Sequence, residues 1–507
     1  RSAMVTSINR SYSKENSLLG FMKRGKEKET PISAEILGRI PGLAVPRPHG
    51  SAAGILPLWD LFHDDASGQG ILVLKDGTYR CVFELDGVHV SGFDEMRLVS
   101  LMNHFTGFLN GIDTSAQLTV VCHNISKREY FQRHPVEVNE DPFLRYVAKV
   151  VENDQASLLS RNFVPELKFY VTFCYRPPKE KPPKQSMIDT AVKSVMDALT
   201  SQAARQSVGS HFKNVTTLVQ RANGYVSQLG ACGMAGRPVS AIEYFRMLYR
   251  ELNPKQAEMA EEHLPSPIRP QTQPLPPAVR RVFPDMEPAT VRQQLVESCY
   301  DFSSPDFCKI SDMTDYIEAS DPNAEPTEKE IAGRYIRTLY MNRLPERTGP
   351  LWLQPLLRLN CEWRLNIYAH KLDKELFRKK LQQKQAQASA NTYQGIMGQR
   401  SAPNQEEAEK AQEAATIGSE LYTTNMEVFN YAIYFTLFAD SLEELNRSTE
   451  FVRSAASQCR GARFVIGHHE QRSLFIGSLP GLGIDVARRG KAVRTPTVRN
   501  SFPFVHA

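Results

Sequence analysis

Apolar residues along this chain recur with two periods, and the switches between them outline its elements. Ile71, Leu72, Val73 and Leu74 form an apolar run that predicts a strand. Asp76-Gly77 then reads as a hairpin turn, because glycine tolerates positive φ, and residues 78–88 read as the return strand. Leu98, Leu101, Met102, Phe105, Phe108 and Leu109 fall at three- and four-residue spacing and predict a helix over 93–109. Ser91 with Asp94 resembles a capping box for it. A strand is predicted at 118–122 and a helix over 141–160. Leu167, Phe169, Val171 and Phe173 alternate with polar neighbours, the pattern of a half-buried strand.

Proline then interrupts the pattern. Residues 176–184 read as a stiff polar linker. Residues 186–253 are mostly helical, with a break at 230–238. Eight prolines between 264 and 288 mark a second linker. Beyond it, strands are predicted at 336–342, 363–369, 428–438 and 464–466. Helices are predicted at 351–359, from Asp373 onward, at 406–421, and over 441–459, where Ser441 and Glu444 suggest a capping box. Strands with antiparallel hairpins among helices indicate an α+β fold. The expectation is two mixed α/β lobes with small, mainly antiparallel sheets, joined by a helical middle segment and proline-rich linkers. The expected divisions are a basic tail at 1–54, a first lobe at 55–176 and a linker with helix at 177–263. A proline-rich connector at 264–330 and a second lobe at 331–507 complete them.

Composition fits a globular chain: 507 residues, 41% hydrophobic and 23% charged. No run of about 18 apolar residues predicts a membrane span. The formal net charge of +5 is mild, and the densest basic stretch is the first 30 residues. Eight cysteines are scattered with no Cys-x-x-Cys pair, so neither a zinc ribbon nor a redox dithiol is indicated, and a reducing cytoplasm fits.

Candidate chemistry is sparse. His468-His469-Glu470 follows a predicted strand, where adjacent side chains point to opposite faces, an awkward arrangement for one metal. His63-Asp64-Asp65 suits a turn or cap as well as a hard cation. Arg334, Tyr335, Arg337, Tyr340 and Arg343 interleave aromatic and basic residues, as a single-strand nucleic-acid groove does; an amphipathic strand has the same pattern. No catalytic, cofactor-binding or metal residue is assigned.

The 71–88 hairpin, the helix after Phe93 and the strand at Leu118 resemble the entry to the TraC/TrbE/TraU-type (DotO-like) ATPases of type IV secretion and conjugation. Residues 337–359 and 365–376 resemble the middle region of that family. Ser478-Leu479-Pro480-Gly481 and Phe502-Pro503-Phe504 resemble segments that precede its Walker A loop. The resemblance implies a cytoplasmic N-terminal assembly domain, peripheral at the bacterial inner membrane. It implies partners too: a hexameric ring of copies, inner-membrane channel subunits, other secretion ATPases and a transferred protein or DNA. ATP and magnesium are expected only in a motor domain outside these residues.

A phosphate loop needs G-x-x-x-x-G-K-[ST]. Gly20 to Lys26 matches seven positions, but Glu27 replaces the hydroxyl; Gly490-Lys491 has Asp485 for the upstream glycine and Ala492 for the hydroxyl. The chain, opening on Arg1, is therefore read as part of a longer ATPase. The alternatives are a stand-alone scaffold or single-stranded nucleic-acid-binding protein, and a metal-dependent enzyme.

Overall fold

The computed structural model describes residues 49–51, 56–125, 130–131, 142–161, 163–178, 208–253, 264, 298–312, 333–345, 348–379, 382–383, 386, 426–459, 461–483 and 489–506. The basic tail up to residue 48, the Gly20–Lys26 match, most of the 176–184 linker, the proline-rich run past Leu264 and the expected helix at 406–421 lie outside the described residues.

In chain order the first elements are β1 (His49–Ser51), β2 (Leu58–Asp64), β3 (Gln69–Leu74), β4 (Tyr79–Leu85) and β5 (Val88–His89). Gly77 at φ 79° closes the β3–β4 hairpin, and Asp76 Oδ1 accepts the Thr78 amide at 3.0 Å. Helix α1 (Glu95–Gly111) is capped by Asp94, whose carboxylate accepts the Arg97 amide. Asp94 alone supplies this cap, one turn later than the expected Ser91. Next come β6 (Ser115–Asn124), α2 (Pro142–Arg161), β7 (Pro165–Tyr175), α3 (Val208–Gly230), β8 (Gly236–Pro238) and α4 (Ala241–Leu252). Ser240 and Glu243 form a full capping box for α4.

Two strands absent from the sequence reading follow, β9 (Ser298–Asp301) and β10 (Cys308–Asp312). Then come β11 (Arg334–Arg343), α5 (Gln354–Leu357), β12 (Trp363–Lys371), β13 (Val428–Ala439) and α6 (Leu442–Gln458). The chain ends with β14 (Arg463–Ile466), α7 (Gln471–Ser478), β15 (Lys491–Arg494), α8 (Thr495–Asn500) and β16 (Val505–His506).

The fold is α+β. Among the described residues, fourteen strands form one sheet, ordered β1-β9-β10-β11-β13-β12-β6-β7-β4-β3-β2, with β14, β15 and β8 on side branches. All its ladders are antiparallel. The two small sheets expected from the sequence are joined into this single one. The seam is β6 against β12, from Trp363 opposite Cys122 to His370 opposite Ser115. Each strand is buried on both faces, so its free edge would strand a row of amides and carbonyls away from water; pairing the two satisfies both.

Helices cover both faces. On one face, α1, α3, α5, α6 and α8 pack against residues such as Phe83, Val120, Phe173, Trp363, Leu365 and Phe435. On the other, α4 and α7 pack against Leu72, Val82, Tyr170 and Phe438. The strands at 167–173 and 363–369 read as half-buried, but their polar positions are buried too: Thr172, Arg364 and Asn366 are at most 1% exposed. What covers Arg364 and Asn366 is α7 and the loop after it. Phe502 and Phe504 are wholly buried in the first-face core, and β16 pairs in parallel with β5.

Candidate functional site: a clamped loop and an outstanding helix

Near the seam the second sheet face is polar. Gln117 and Thr119 on β6, Arg364 and Asn366 on β12, and Thr436 on β13 are all buried there. Strand alternation puts these residues on the face opposite Leu118, Leu365 and Phe435. The end of α7 and the loop after it, residues 477–483, which hold the Leu479-Pro480-Gly481 segment, lie against them, and side chains take their carbonyls almost one by one. Tyr368 donates to Gly477 O. Asn366 Nδ2 donates to Ser478 O at 3.0 Å. Gln117 Nε2 reaches Leu479 O at 3.4 Å, and Tyr244 donates to Pro480 O at 2.7 Å. Arg80 Nη1 donates to Gly481 O at 3.2 Å and Gly483 O at 3.3 Å.

Asn366 is the hub of this clamp, since its Oδ1 also accepts from Gln117 at 2.9 Å and Thr119 at 2.8 Å. A loop survives burial only when its backbone groups find such partners. Arg364, fully buried, pairs with Glu251 on α4, donates to Ser478 Oγ and lies over the Phe438 ring. These residues fix a segment in place. They present no nucleophile beside a base.

Helix α2 is the opposite case. It makes at most marginal contact with any other described helix or strand. Phe143, Val147, Val151 and Leu158 recur at four- and seven-residue spacing, with Tyr146 and Val150 beside them, and all six are exposed, Phe143 at 71% and Tyr146 at 68%. Helices gain most of their stability from packing an apolar face, and this 20-residue helix exposes such a stripe among the described residues.

The sequence candidates fall elsewhere. His468 bonds Asp306, His469 sits at φ 61° with its amide on Pro305 O, and Glu470 pairs with Arg489, so the three diverge. Asp64 accepts the Ser67 hydroxyl and the Ser67 and Gly68 amides at its carbonyl, a tight turn after β2. No cluster of three or more His, Cys, Asp or Glu with metal-binding geometry occurs among the described residues. The aromatic and basic residues of β11 split between faces. Arg334 pairs with Glu362 and Tyr340 stacks under Arg489 on the second face, while Tyr335 and Arg337 lie on the first. They do not line one groove. Gly490-Lys491 leads into β15 rather than a helix, and Lys491 donates to Asn342 O. No helix among the described residues is long and apolar enough to cross a membrane.

The sequence reading missed the buried polar face and the exposed stripe of α2. The stripe was visible as apolar spacing; the polar face had no local signal. Neither a scan against protein-family models nor a search of curated proteins returned a match.

Proposed function

We propose that this chain is the N-terminal assembly and docking domain of a conjugation-type type IV secretion ATPase. In that reading it holds its motor against inner-membrane channel subunits and helps copies associate into a ring. ATP hydrolysis is assigned to a motor domain outside these residues. The observation that carries the reading is the exposed apolar stripe of α2 on a helix that packs against almost nothing else described. Burial of such a stripe supplies association energy at about 25 cal/mol per Å² of apolar area. The clamp on Leu479-Pro480-Gly481 and the burial of Phe502 and Phe504 add support. They build both resemblance segments into the sheet body, so a shift at the sheet would reach whatever follows them.

The test is association of the purified chain, measured by light scattering and by co-purification with co-expressed inner-membrane channel subunits. The expected result is a self-associated or channel-bound chain, and loss of both states in Phe143→Ser/Tyr146→Ser/Val150→Ser at unchanged thermal stability. A wild-type chain that stays monomeric at tens of micromolar and binds no channel subunit would overturn the proposal.

A further inference from the structure

Between α6, the turn joining β9 to β10, and β14 lies an arginine-lined cleft of about 380 Å³ that the docking role does not use. Arg337, Arg447 and Arg453 line it, with Asn446, Thr449 and Asp306. Arg337 is the buried member, 5% exposed. Its guanidinium is held by neutral acceptors alone. Nε donates to the Asp306 carbonyl at 3.2 Å, and Nη1 donates to Asn446 Oδ1 at 2.9 Å and Thr449 Oγ1 at 2.8 Å. Among the described residues Nη2 makes no hydrogen bond and no carboxylate lies within ion-pair distance of the guanidinium.

Two other arginines of this sheet differ in just this respect. Arg364 has Glu251, and Arg334 has Glu362. Buried charges are ordinarily paired, because an uncompensated ion in a low-dielectric site is costly. Burial accordingly pulls the Arg337 guanidinium below its ordinary pKa.

The two acids lining the cleft are already engaged. Glu450 accepts from Arg453 at 2.6 Å, and Asp306 bonds His468 at 2.5 Å. Arg447 is exposed and makes no ion pair among the described residues. Three guanidiniums face two carboxylates, so the cleft is net positive, and Arg337 and Arg447 are the two that bond neither acid side chain, two guanidiniums beside one opening. Two such forks match a dianion better than a single carboxylate, and a phosphoryl group carries between one and two negative charges near pH 7.

We propose that this cleft is a binding site for a phosphoryl group, with Arg337 and Arg447 donating to its oxygens and Arg453 as an adjoining cation. The cleft opens to solvent, so the group is brought in on a dissolved phosphorylated molecule. The side-chain oxygens of Asn446 and Thr449 keep Arg337 aimed whether or not the site is filled.

Thermal unfolding of the full chain tests this, in rising concentrations of inorganic phosphate and pyrophosphate, with sodium chloride and sodium acetate at matched ionic strength as references. A ligand that binds only the folded chain raises Tm. The expected result is a saturable rise with phosphate or pyrophosphate that chloride and acetate do not give. Because Arg337 is buried and R337Q risks misfolding, the decisive variant is the exposed pair Arg447→Ala/Arg453→Ala. It should weaken the apparent affinity about tenfold or more, the value of one charge-assisted hydrogen bond. Arg97→Ala, on the exposed start of α1, should leave it unchanged. Phosphate acting no better than acetate, or acting equally on the Arg447/Arg453 variant, would overturn the site.

Discussion

The hydroxyl of Tyr79 lies 2.6 Å from Nδ1 of His211, which ties strand β4 to helix α3 inside the first-face core. Phe62 packs against the imidazole, with ring centroids 5.2 Å apart. Burial pushes the His211 pKa down to about 4. The unfolded chain binds a proton near pH 6.5, so between that value and about 4 the unfolded state holds more protons than the folded one. Stability from this group is therefore complete above pH 6.5 and lost as pH falls toward 4, by up to about 3 kcal/mol. Urea unfolding at pH 7.5, 5.5 and 4.5 measures it. His211→Gln should flatten that part of the pH profile; an unchanged slope would mean another group is responsible.

Asn366→Leu should destabilise the fold by about 1–3 kcal/mol, since it leaves the buried Ser478 carbonyl without its donor and Gln117 and Thr119 without their shared acceptor. The urea midpoint reports the loss. Proteolysis within loop 477–483 should rise with it, because that loop is held by side chains rather than by a ladder.

Gly481 and Gly461 make a matched pair. Both have φ above 80°, but a Cβ on Gly481 would meet Tyr244 Oη at 3.0 Å and Val82 Cγ2 at 3.1 Å, while one on Gly461 meets nothing within 4 Å. Gly461→Ala should cost about 1–2 kcal/mol from backbone conformation alone. Gly481→Ala should cost more than that. Equal Tm losses for the two variants would show that the loop yields to the added methyl.

Burial raises the thiol pKa of Cys122 to about 12 and those of Cys232, Cys361 and Cys459 to about 11. Iodoacetamide acts on the thiolate, so these four should resist alkylation at pH 8 in the native chain and react fully in urea. Peptide mass mapping reads each site separately. Fast native alkylation of Cys361 would imply that its part of the core opens readily.

Much of the chain was legible locally. Asp76-Gly77 marked the β3–β4 turn, and the spacing of Leu101, Phe105, Phe108 and Leu109 gave α1 with the buried face that the fold uses. Strand ends ran two or three residues past the apolar core, because ladder hydrogen bonds extend beyond the buried positions. Strands β9 and β10 escaped notice because each is short and separated by Ser303-Ser304-Pro305-Asp306, which reads as plain loop.

The clamp could not be read locally. Arg364 and Asn366 have the alternation of solvent-facing residues, and the distant segment 477–483 together with Glu251 on α4 turns their side of β12 into an interior. The stripe of α2 had the opposite fate. The helix was predicted, but its apolar spacing would ordinarily mark a buried face, and among the described residues that face is exposed.

The β6–β12 seam has a consequence for how the chain reaches its native state. Gln117 and Asn366, bonded across it, stand 249 residues apart in sequence. Closing so long a segment carries an entropic cost that is met only after both halves exist, and high contact order slows folding. A nascent chain released up to residue 260 would carry β6 with an unpaired edge whose two faces are both buried in the native sheet, the kind of edge that recruits strands from other chains. Refolding should accordingly be slow and concentration-sensitive, and the fragment 1–260 should aggregate. The seam that makes one sheet of two halves also makes the first half dependent on the second for its solubility.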